Sequence, residues 1–320
     1  MKKRILALLL CAVMVLALVA ACNGNGDEDA GQAGEQRDVR IAVILHALNS
    51  SFFFTIQDGA IAAGEDLNIH VSVMAPAVPD SLAEQVAMIE SAIAAGYHGI
   101  ATTLWDPDGF NSVIQRAQAE GIAFIGINQD APDSGRSVFI GQDMEPGGYA
   151  LGRYMFENVM GGSGSFIITS CAPANTALIE RADGIMRAAE AFPNIEFVDL
   201  IDITTDLTTA FGIIENAFIA HPDVDAFIGV DVFSEAIGTF IASQGLQGQV
   251  FGGGFDLTEG TLAHISDNAM QVTVGQNPFL QGWYPVVNLY QHLVHGFDLI
   301  NIDTGAFVVT AANVDRVDPE

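Results

Sequence analysis

Lysine occurs only at positions 2 and 3 of this 320-residue chain, so one kind of charge is almost missing. Eleven basic residues stand against 39 acidic ones, and the formal net charge at pH 7 is −28. Without the N-terminal triplet Lys2-Lys3-Arg4 the net charge falls to −31 (11 − 3 basic residues against 39 acidic). A surface this acidic repels phosphate groups, which disfavours nucleic acid and anionic membrane surfaces as partners.

Cysteine is nearly as scarce. Cys11 lies inside the N-terminal apolar run and Cys22 lies at its end, so Cys171 has no partner for an internal disulfide. Cys171 follows an apolar, strand-like segment without a histidine pattern beside it. We therefore expect a buried structural thiol at this position, not a nucleophile.

The common motifs of catalytic and cofactor sites are also missing. The chain contains no Gly-x-Ser-x-Gly, no phosphate-binding Gly-x-x-x-x-Gly-Lys-Ser/Thr and no clustered His or Cys spacing. The acidic residues Asp199, Asp202 and Asp206 lack the spacing of a calcium loop. We therefore expect a protein that is not an enzyme and that holds no cofactor and no metal ion.

The N-terminus carries the one long apolar run, from Ile5 to Ala21, directly after the basic triplet. A basic start, an apolar middle and small residues at the end are typical of a secretory signal. The final Val-Ala-Ala-Cys resembles the bacterial lipobox, whose cysteine is lipidated; the alternative, a transmembrane anchor, needs a longer run. We predict a signal peptide over 1–22 with a lipidated Cys22, a flexible polar tether over 23–38, and an extracytoplasmic domain anchored through lipid only.

From residue 39 onward, short apolar segments alternate with amphipathic ones. The predicted strands lie near residues 41–46, 69–74, 98–102, 122–126, 137–141, 164–169, 195–201, 225–230, 249–253, 270–275 and 306–310. The predicted helices lie near 53–66, 80–95, 109–120, 145–160, 176–191, 207–220, 233–244, 257–267 and 279–295. This alternation is typical of βαβ units and parallel sheets. The two halves look alike, which predicts an α/β fold of two doubly wound lobes with a cleft between them.

The most informative stretch is 41–59. Its first five residues are continuously apolar, as in a strand buried on both faces. Asn49-Ser50-Ser51 then interrupts, and Phe52-Phe53-Phe54 opens a helical pattern. Parallel sheets bind ligands at the carboxyl ends of their strands, so an amide and aromatic rings there suit a small molecule with apolar faces and polar edges. Alternatively, the rings belong to the core and Asn49 caps the helix; three successive helical positions cannot all face a cleft.

Several short motifs follow one another along the chain in a characteristic order. They are Leu48-Asn49-Ser50-Ser51-Phe52-Phe53, Asp58-Gly59-Ala60, Gly126-Ile127-Asn128-Gln129-Asp130, Glu180-Arg181-Ala182-Asp183-Gly184, Ala220-His221-Pro222-Asp223-Val224, Gly253-Gly254-Phe255-Asp256 and Thr273-Val274-Gly275-Gln276-Asn277-Pro278. Together they resemble, over about 39–313, the bacterial solute-binding proteins of periplasmic-binding-protein type I, ribose/galactose-binding branch. The resemblance implies a lobe of 39–141 plus 277–304 and a lobe of 142–276 plus 305–320, joined by three hinge crossings.

The resemblance also implies which residues contact the ligand. They are Asn49, Phe52, Phe53, Asn128, Gln129, Asn175, Arg181, Asp231, Asp256 and Gln276. Taken alone, several of these have structural alternatives: Asp231 and Asp256 suit a helix cap or a turn, and Arg181 could pair with Asp183 on the surface.

Three departures from the family pattern concern the ligand. Thr205 stands near the position of the aromatic ring that covers the second face of a sugar. Trp105 follows another strand, where relatives usually have a small or polar residue. We expect it to replace the missing ring; the alternative is a lid or packing tryptophan at the cleft rim. Gln129 stands where ribose binders have arginine, which argues against ribose itself.

The resemblance implies a monomeric binding protein that captures a small polar solute, with a monosaccharide as the first choice, and delivers it to the permease of an ABC importer. A ligand sensor for a chemoreceptor or histidine kinase would share this fold. So would a binder of a nucleoside, a polyol or a furanose-like signal molecule. An enzyme of related α/β topology is the alternative from a different class, and turnover of the bound solute would distinguish it.

Overall fold

The computed structural model describes residues 38–319. The predicted signal peptide, Cys22 and nearly all of the predicted tether lie outside the described residues. Within the described part of the chain, no helix is both long enough and apolar enough to span a membrane.

Strands and helices alternate as the apolar pattern predicts. In chain order the strands are β1 (Arg40–Ile44), β2 (His70–Met74), β3 (Gly99–Thr103), β4 (Ala123–Ile127), β5 (Phe139–Gly141), β6 (Ser163–Ser170), β7 (Asn194–Asp202), β8 (Ala226–Gly229), β9 (Phe251–Phe255), β10 (Val272–Gly275), β11 (Ile302–Asp303) and β12 (Phe307–Thr310). The α-helices are α1 (Ser51–Leu67), α2 (Leu82–Ala94), α3 (Asn111–Ala119), α4 (Met144–Tyr154), α5 (Thr176–Ala189), α6 (Leu207–Ala220), α7 (Glu235–Gln244), α8 (Glu259–Ser266) and α9 (Pro278–His295).

These strands form two six-stranded sheets. The first has the order β11-β5-β4-β3-β1-β2, with parallel pairing throughout. The second has the order β12-β10-β9-β8-β6-β7 and is parallel except for the antiparallel pair β10–β12. The chain therefore passes from one sheet to the other three times, after β5, after β10 and after β11. The predicted α/β class, with two doubly wound sheets and three crossings, is confirmed.

Each sheet is buried between two layers of helices. Ile41, Val43 and Leu45 pack with α1 and α9 on one face of the first sheet, while Ala42 and Ile44 pack with α2 and α3 on the other. All five side chains are fully buried, which explains the unbroken apolar run of β1. The second sheet is covered in the same way, by α4 and α5 on one face and by α6 and α7 on the other.

Two details differ from the sequence-based expectation. The predicted helix 145–160 ends as an α-helix at Tyr154 and continues as a single π-helical turn, Met155–Val159, that keeps Met155 and Phe156 in the core. Strand β11 was absent from the prediction, since two residues are too few to show an alternating pattern.

Glycines let helix α4 lie directly on helix α5. A Cβ added at Gly148 would overlap the carbonyl oxygen of Arg181, and one added at Gly184 would overlap the carbonyl oxygen of Glu145. Larger side chains at these positions would force the helices apart. This close approach holds the backbone of Arg181 near the first crossing, and Arg181 belongs to the site described next.

Candidate functional site

The carboxyl ends of strands from both sheets open into one cavity of about 530 Å³. This is where a parallel sheet places its ligands, and the volume is within the range of small-molecule sites. The first sheet contributes residues that follow β1 to β4, and the second contributes residues that follow β6, β8, β9 and β10. The lining includes His46, Ser50, Ser51, Phe52, Phe53, Asp80, Trp105, Asn128, Gln129, Met144, Cys171, Asn175, Leu178, Arg181, Asp231, Val232, Phe233, Asp256, Leu257, Thr258 and Gln276.

Ten of the eleven residues predicted from the sequence lie on the wall of this cavity. They are Phe52, Phe53, Trp105, Asn128, Gln129, Asn175, Arg181, Asp231, Asp256 and Gln276. Asn49 does not: it is exposed, and its neighbours Ser50 and Ser51 line the cavity instead. Asn49 does not cap α1 either, because Ser50 occupies the cap position.

Aromatic rings form the wall on the side of the first sheet. Phe52 and Phe53 meet edge to face with ring centroids 5.3 Å apart, and His46 meets Phe53 in the same manner at 4.7 Å. Phe54 points away and is 47% exposed. The alternative that all three phenylalanines belong to the core is therefore wrong, and two of the rings are available to an apolar ligand face.

Trp105 adds a third ring, and a buried side chain holds it in place. Its indole N–H donates to Oε1 of Gln85 at 2.8 Å. Gln85 is fully buried and donates in turn to the side chains of Thr102 and Thr103. Because both ends of the Gln85 amide are used, the indole has a defined orientation before any ligand arrives.

The second sheet also supplies a ring, at a position that the sequence analysis did not identify. Thr205 is exposed and does not line the cavity, whereas Phe233 does. Phe233 follows Asp231 after β8, in the short 3₁₀ turn Val232–Ser234. Because ligands bind at the carboxyl ends of parallel strands, this segment after β8 was a candidate for the cavity wall. The position of the segment alone does not predict which of its side chains turns inward.

Asp231 and Asp256 bring two buried carboxyl groups to the opposite wall. The Asp231 carboxylate accepts the backbone N–H groups of Cys171 at 2.6 Å and of Phe233 at 2.8 Å. Asp256 accepts a hydrogen bond from Nε2 of Gln276 at 2.6 Å. Burial raises the pKa of Asp231 to about 6 and also raises the pKa of Asp256, although Arg181 opposes the second shift.

Arg181 carries a buried positive charge between these carboxylates and the core. Nη1 donates to the carbonyl oxygen of Val230 and Nη2 donates to Oε1 of Gln142, each at 2.9 Å. The guanidinium carbon lies 3.9 Å from the ring centroid of Phe255. The side chain is interior, so the alternative of a surface ion pair with Asp183 is wrong. Nε is buried and has no hydrogen-bond partner among the described residues.

Arg181 interacts with the two carboxylates electrostatically, without direct contact. Among the described residues, neither Asp231 nor Asp256 forms an ion pair with Arg181 within 4 Å. The arginine is therefore not the direct hydrogen-bond partner of either buried carboxylate. Backbone N–H groups and Gln276 fill that role, so the space between the charges is left for a ligand.

The remaining predicted residues supply amides. Asn128 has a left-handed backbone (φ 62°) and donates to Oε1 of Gln281 at 2.9 Å. Asn175 lines the cavity and also caps α5, where its Oδ1 accepts the N–H of Ala177 at 3.0 Å. Asn175 and Asp231 therefore line the cavity and cap a helical segment at the same time.

Neither His46 nor Cys171 is a reactive group. Burial lowers the pKa of His46 to about 4, so its ring is neutral at pH 7. Burial, with a smaller contribution from Asp231, raises the pKa of the Cys171 thiol, which keeps it protonated. Cys171 is half-buried at the cavity wall and not fully buried as expected. In the described range no three His, Cys, Asp or Glu side chains are arranged to hold a metal ion.

Comparisons with known proteins place this cavity in context. A family model described as a periplasmic binding protein domain matches residues 41–296. The xylose/arabinose-binding protein of Sulfolobus acidocaldarius is 29% identical over 303 residues, covering 89% of this chain and 74% of that protein. The ribose import binding protein of Bacillus subtilis is 24% identical, with coverages of 88% and 90%. A solute-binding protein from Burkholderia graminis, solved with D-arabinose, is 27% identical with a TM-score of 0.80, covering 88% of this chain and 99% of that one.

The buried Asp231 carboxyl predicts a measurable pH dependence of stability. Between the ordinary pKa of 3.8 and the native value of about 6, the native state keeps a proton that the unfolded chain has released. Stability contributed by this group is therefore lost as the pH rises from 4 to 7. Compared with Asp231→Asn, the wild-type free energy of unfolding should fall by up to about 3 kcal/mol over this range, at 1.36 kcal/mol per pKa unit. Denaturant unfolding at several pH values measures it, and parallel curves for the two proteins would contradict the assignment.

Proposed function

The chain belongs to the periplasmic binding protein family, and on this basis we propose that it captures a monosaccharide in the cavity and delivers it to an ATP-driven membrane importer. The family match over residues 41–296 confirms the resemblance inferred from the sequence. It also confirms the expectation of a binding protein rather than an enzyme.

One observation carries the proposal: buried carboxylates and a guanidinium face aromatic rings across a single cavity. Asp231 and Asp256 accept hydrogen bonds, Arg181 donates them, and sugar hydroxyls do both at fixed spacing. The C–H faces of a sugar ring suit Phe52 and Trp105 on the other wall. The opposed charges also favour a neutral ligand, since a net charge would be attracted to one group and repelled by the other.

Aldopentoses are the first candidates within this class. The relative from Sulfolobus acidocaldarius is named for xylose and arabinose, and the neighbour from Burkholderia graminis was solved with D-arabinose. Gln129 lines the cavity where ribose binders have arginine, which favours another pentose over ribose. The proposed contacts are the ten predicted residues that line the cavity, with Ser50 in place of Asn49.

The two sheets support the proposed lobes of 39–141 plus 277–304 and 142–276 plus 305–320. Strands β1 to β5 and β11 belong to the first sheet, and β6 to β10 and β12 belong to the second. Binding would close the lobes about their three crossings and enclose the sugar. The closed, monomeric protein would then present surfaces of both lobes to the permease.

A lipid anchor completes the proposal. It rests on the lipobox-like end of the N-terminal apolar run, which lies outside the described residues. The mature protein would begin at a lipidated Cys22 and hold its binding domain outside the cytoplasm on a tether over 23–38. Its acidic surface would add nothing to attachment, because anionic lipid repels it.

A thermal-shift screen of the purified protein tests the ligand class. We expect D-xylose, L-arabinose or D-arabinose to raise the melting temperature, and D-ribose to raise it less. A ligand at 100 times its Kd adds about 2.7 kcal/mol of stability, which a melting curve resolves easily. If nucleosides or polyols stabilised the protein and no monosaccharide did, the sugar proposal would be wrong. Consumption of the bound sugar would instead indicate an enzyme.

Neighbouring phenylalanines offer a matched pair for testing the aromatic wall. Phe52→Ala removes a ring from the cavity and should raise the Kd for the bound sugar about 10- to 100-fold, equivalent to about 1.4–2.8 kcal/mol. Phe54→Ala removes the same group from the exposed side of α1 and should leave the Kd within about twofold. Isothermal titration calorimetry measures both Kd values. Equal effects of the two substitutions would contradict the proposal that Phe52 contacts the sugar.

The anchor is tested by Cys22→Ser in cells. The wild-type protein should incorporate radiolabelled fatty acid and sediment with membranes. Cys22→Ser should lose the label and leave the membrane fraction. A variant that stays in the membrane fraction would indicate an uncleaved transmembrane anchor instead.

A further inference from the structure

A buried glutamine side chain connects all three crossings between the sheets. Gln142 lies in the first crossing, directly after β5, and is almost completely buried. Its Nε2 donates to the carbonyl oxygen of Gly305 in the third crossing at 3.1 Å and lies 3.4 Å from that of Gly275, where the second crossing begins. One amide group therefore contacts every chain segment that joins the two sheets.

The oxygen of the same amide orients a predicted ligand contact. Oε1 of Gln142 accepts the hydrogen bond from Nη2 of Arg181 at 2.9 Å. Gln142 is not on the cavity wall, so it acts on a ligand only through the arginine. Rotating the first crossing would move the oxygen that holds the guanidinium, which couples the position of Arg181 to the angle between the sheets.

A second buried glutamine makes the matching connection from the other side. Gln281 lies in the first turns of α9, is fully buried and is also absent from the cavity wall. Its Oε1 accepts from Asn128 at 2.9 Å, while its Nε2 lies 3.0 Å from the backbone oxygen of Gln276 and 3.3 Å from Oγ1 of Thr304. Gln276 in turn donates to Asp256 at 2.6 Å.

These hydrogen bonds form a continuous connection between the two walls of the cavity. Asn128 follows a strand of the first sheet, Asp256 follows a strand of the second, and Gln281 and Gln276 lie between them. Thr304, in the third crossing, also donates to the backbone oxygen of Gln276 at 2.8 Å. The primary amide suits this position because it donates and accepts at once without carrying charge.

We propose that Gln142 and Gln281 are positioning residues, which set Arg181, Asn128 and Asp256 relative to the three crossings without touching the ligand. They hold the ligand contacts of both walls in a fixed arrangement at a given lobe angle, so a change in that angle is transmitted to the contacts. This inference rests on the proposed function, because it assigns the two glutamines to the same sugar site.

A double-mutant cycle tests whether Gln142 acts through Arg181. The probe is whichever of D-xylose, L-arabinose, D-arabinose and D-ribose gives the largest thermal shift, and the readout is its Kd by calorimetry. Gln142→Met keeps the length of the side chain and should raise the Kd at least 10-fold. In an Arg181→Met background the same substitution should change the Kd less than twofold. An equal effect in both backgrounds, or no effect in the wild type, would overturn the proposal.

A surface glutamine provides the matched control. Gln118 donates from an exposed position in α3 to the carbonyl oxygen of Gly135, and neither residue lies in a crossing. Gln118→Met should leave the Kd within about twofold. Gln281→Met should weaken binding as Gln142→Met does, because it releases Asn128 and the backbone of Gln276.

A measurement without ligand separates this inference from the proposed function. Hydrogen–deuterium exchange should accelerate in Gln142→Met over 142–144, 276–278 and 304–306 together. Faster exchange confined to 142–144 would show a local packing role and overturn the coupling.

If Gln142→Met fails to fold, Gln142→Glu keeps the acceptor for Arg181 and should still accelerate exchange at the other two crossings. Should none of the four sugars bind the wild type, the proposed function fails, and the exchange pattern still decides the role of Gln142.

Discussion

The guanidinium of Arg181 lies in the interior of a protein that has few cations, and much of the site is arranged around it. A buried charge needs compensating partners, and here they are hydrogen bonds to the carbonyl of Val230 and the amide of Gln142 and a cation–π contact with the face of Phe255. The close contact of α4 with α5 at Gly148 places the arginine where it reaches all three. Arg181 therefore contacts the first crossing through Gln142 and the second sheet through Phe255, and it also lines the cavity wall.

The two carboxylates opposite Arg181 are held by groups other than the arginine. Backbone N–H groups hold Asp231 and the Gln276 amide holds Asp256, so neither acid uses the arginine as its direct hydrogen-bond partner. Burial still raises the pKa of both acids, because a buried carboxylate loses the water that stabilises its charge. A polar ligand with hydroxyl groups supplies donors to these oxygens and acceptors to Arg181. Such a cavity favours a neutral, hydroxyl-rich molecule over a charged one.

Local patterns predicted most of the fold and much of the site. Apolar runs such as β1 identify strands buried on both faces, and the carboxyl ends of those strands identify the segments that line the cavity. The strand end before Trp105 and the family resemblance at Asn128 and Asp256 pointed to residues that lie on its wall. Asn49 lies outside the cavity and Ser50 lines it, since the start of α1 decides which residue of the turn faces inward. Phe233 was missed because its short 3₁₀ turn has no periodic signal.

The sequence by itself determined the α/β class, the two similar halves, the acidic surface and the family resemblance. Each follows from composition, periodicity or short motifs, which act over a few residues or over the whole chain. Only the tertiary structure decided that Gln85 orients Trp105, and that Gln142 and Gln281 connect the crossings to the ligand contacts. The hydrogen bonds Trp105–Gln85, Asn128–Gln281 and Gln142–Gly305 join residues 20, 153 and 163 positions apart. A glutamine has no periodic signature, and its role depends on which donors and acceptors the folded chain brings within hydrogen-bonding distance of its amide.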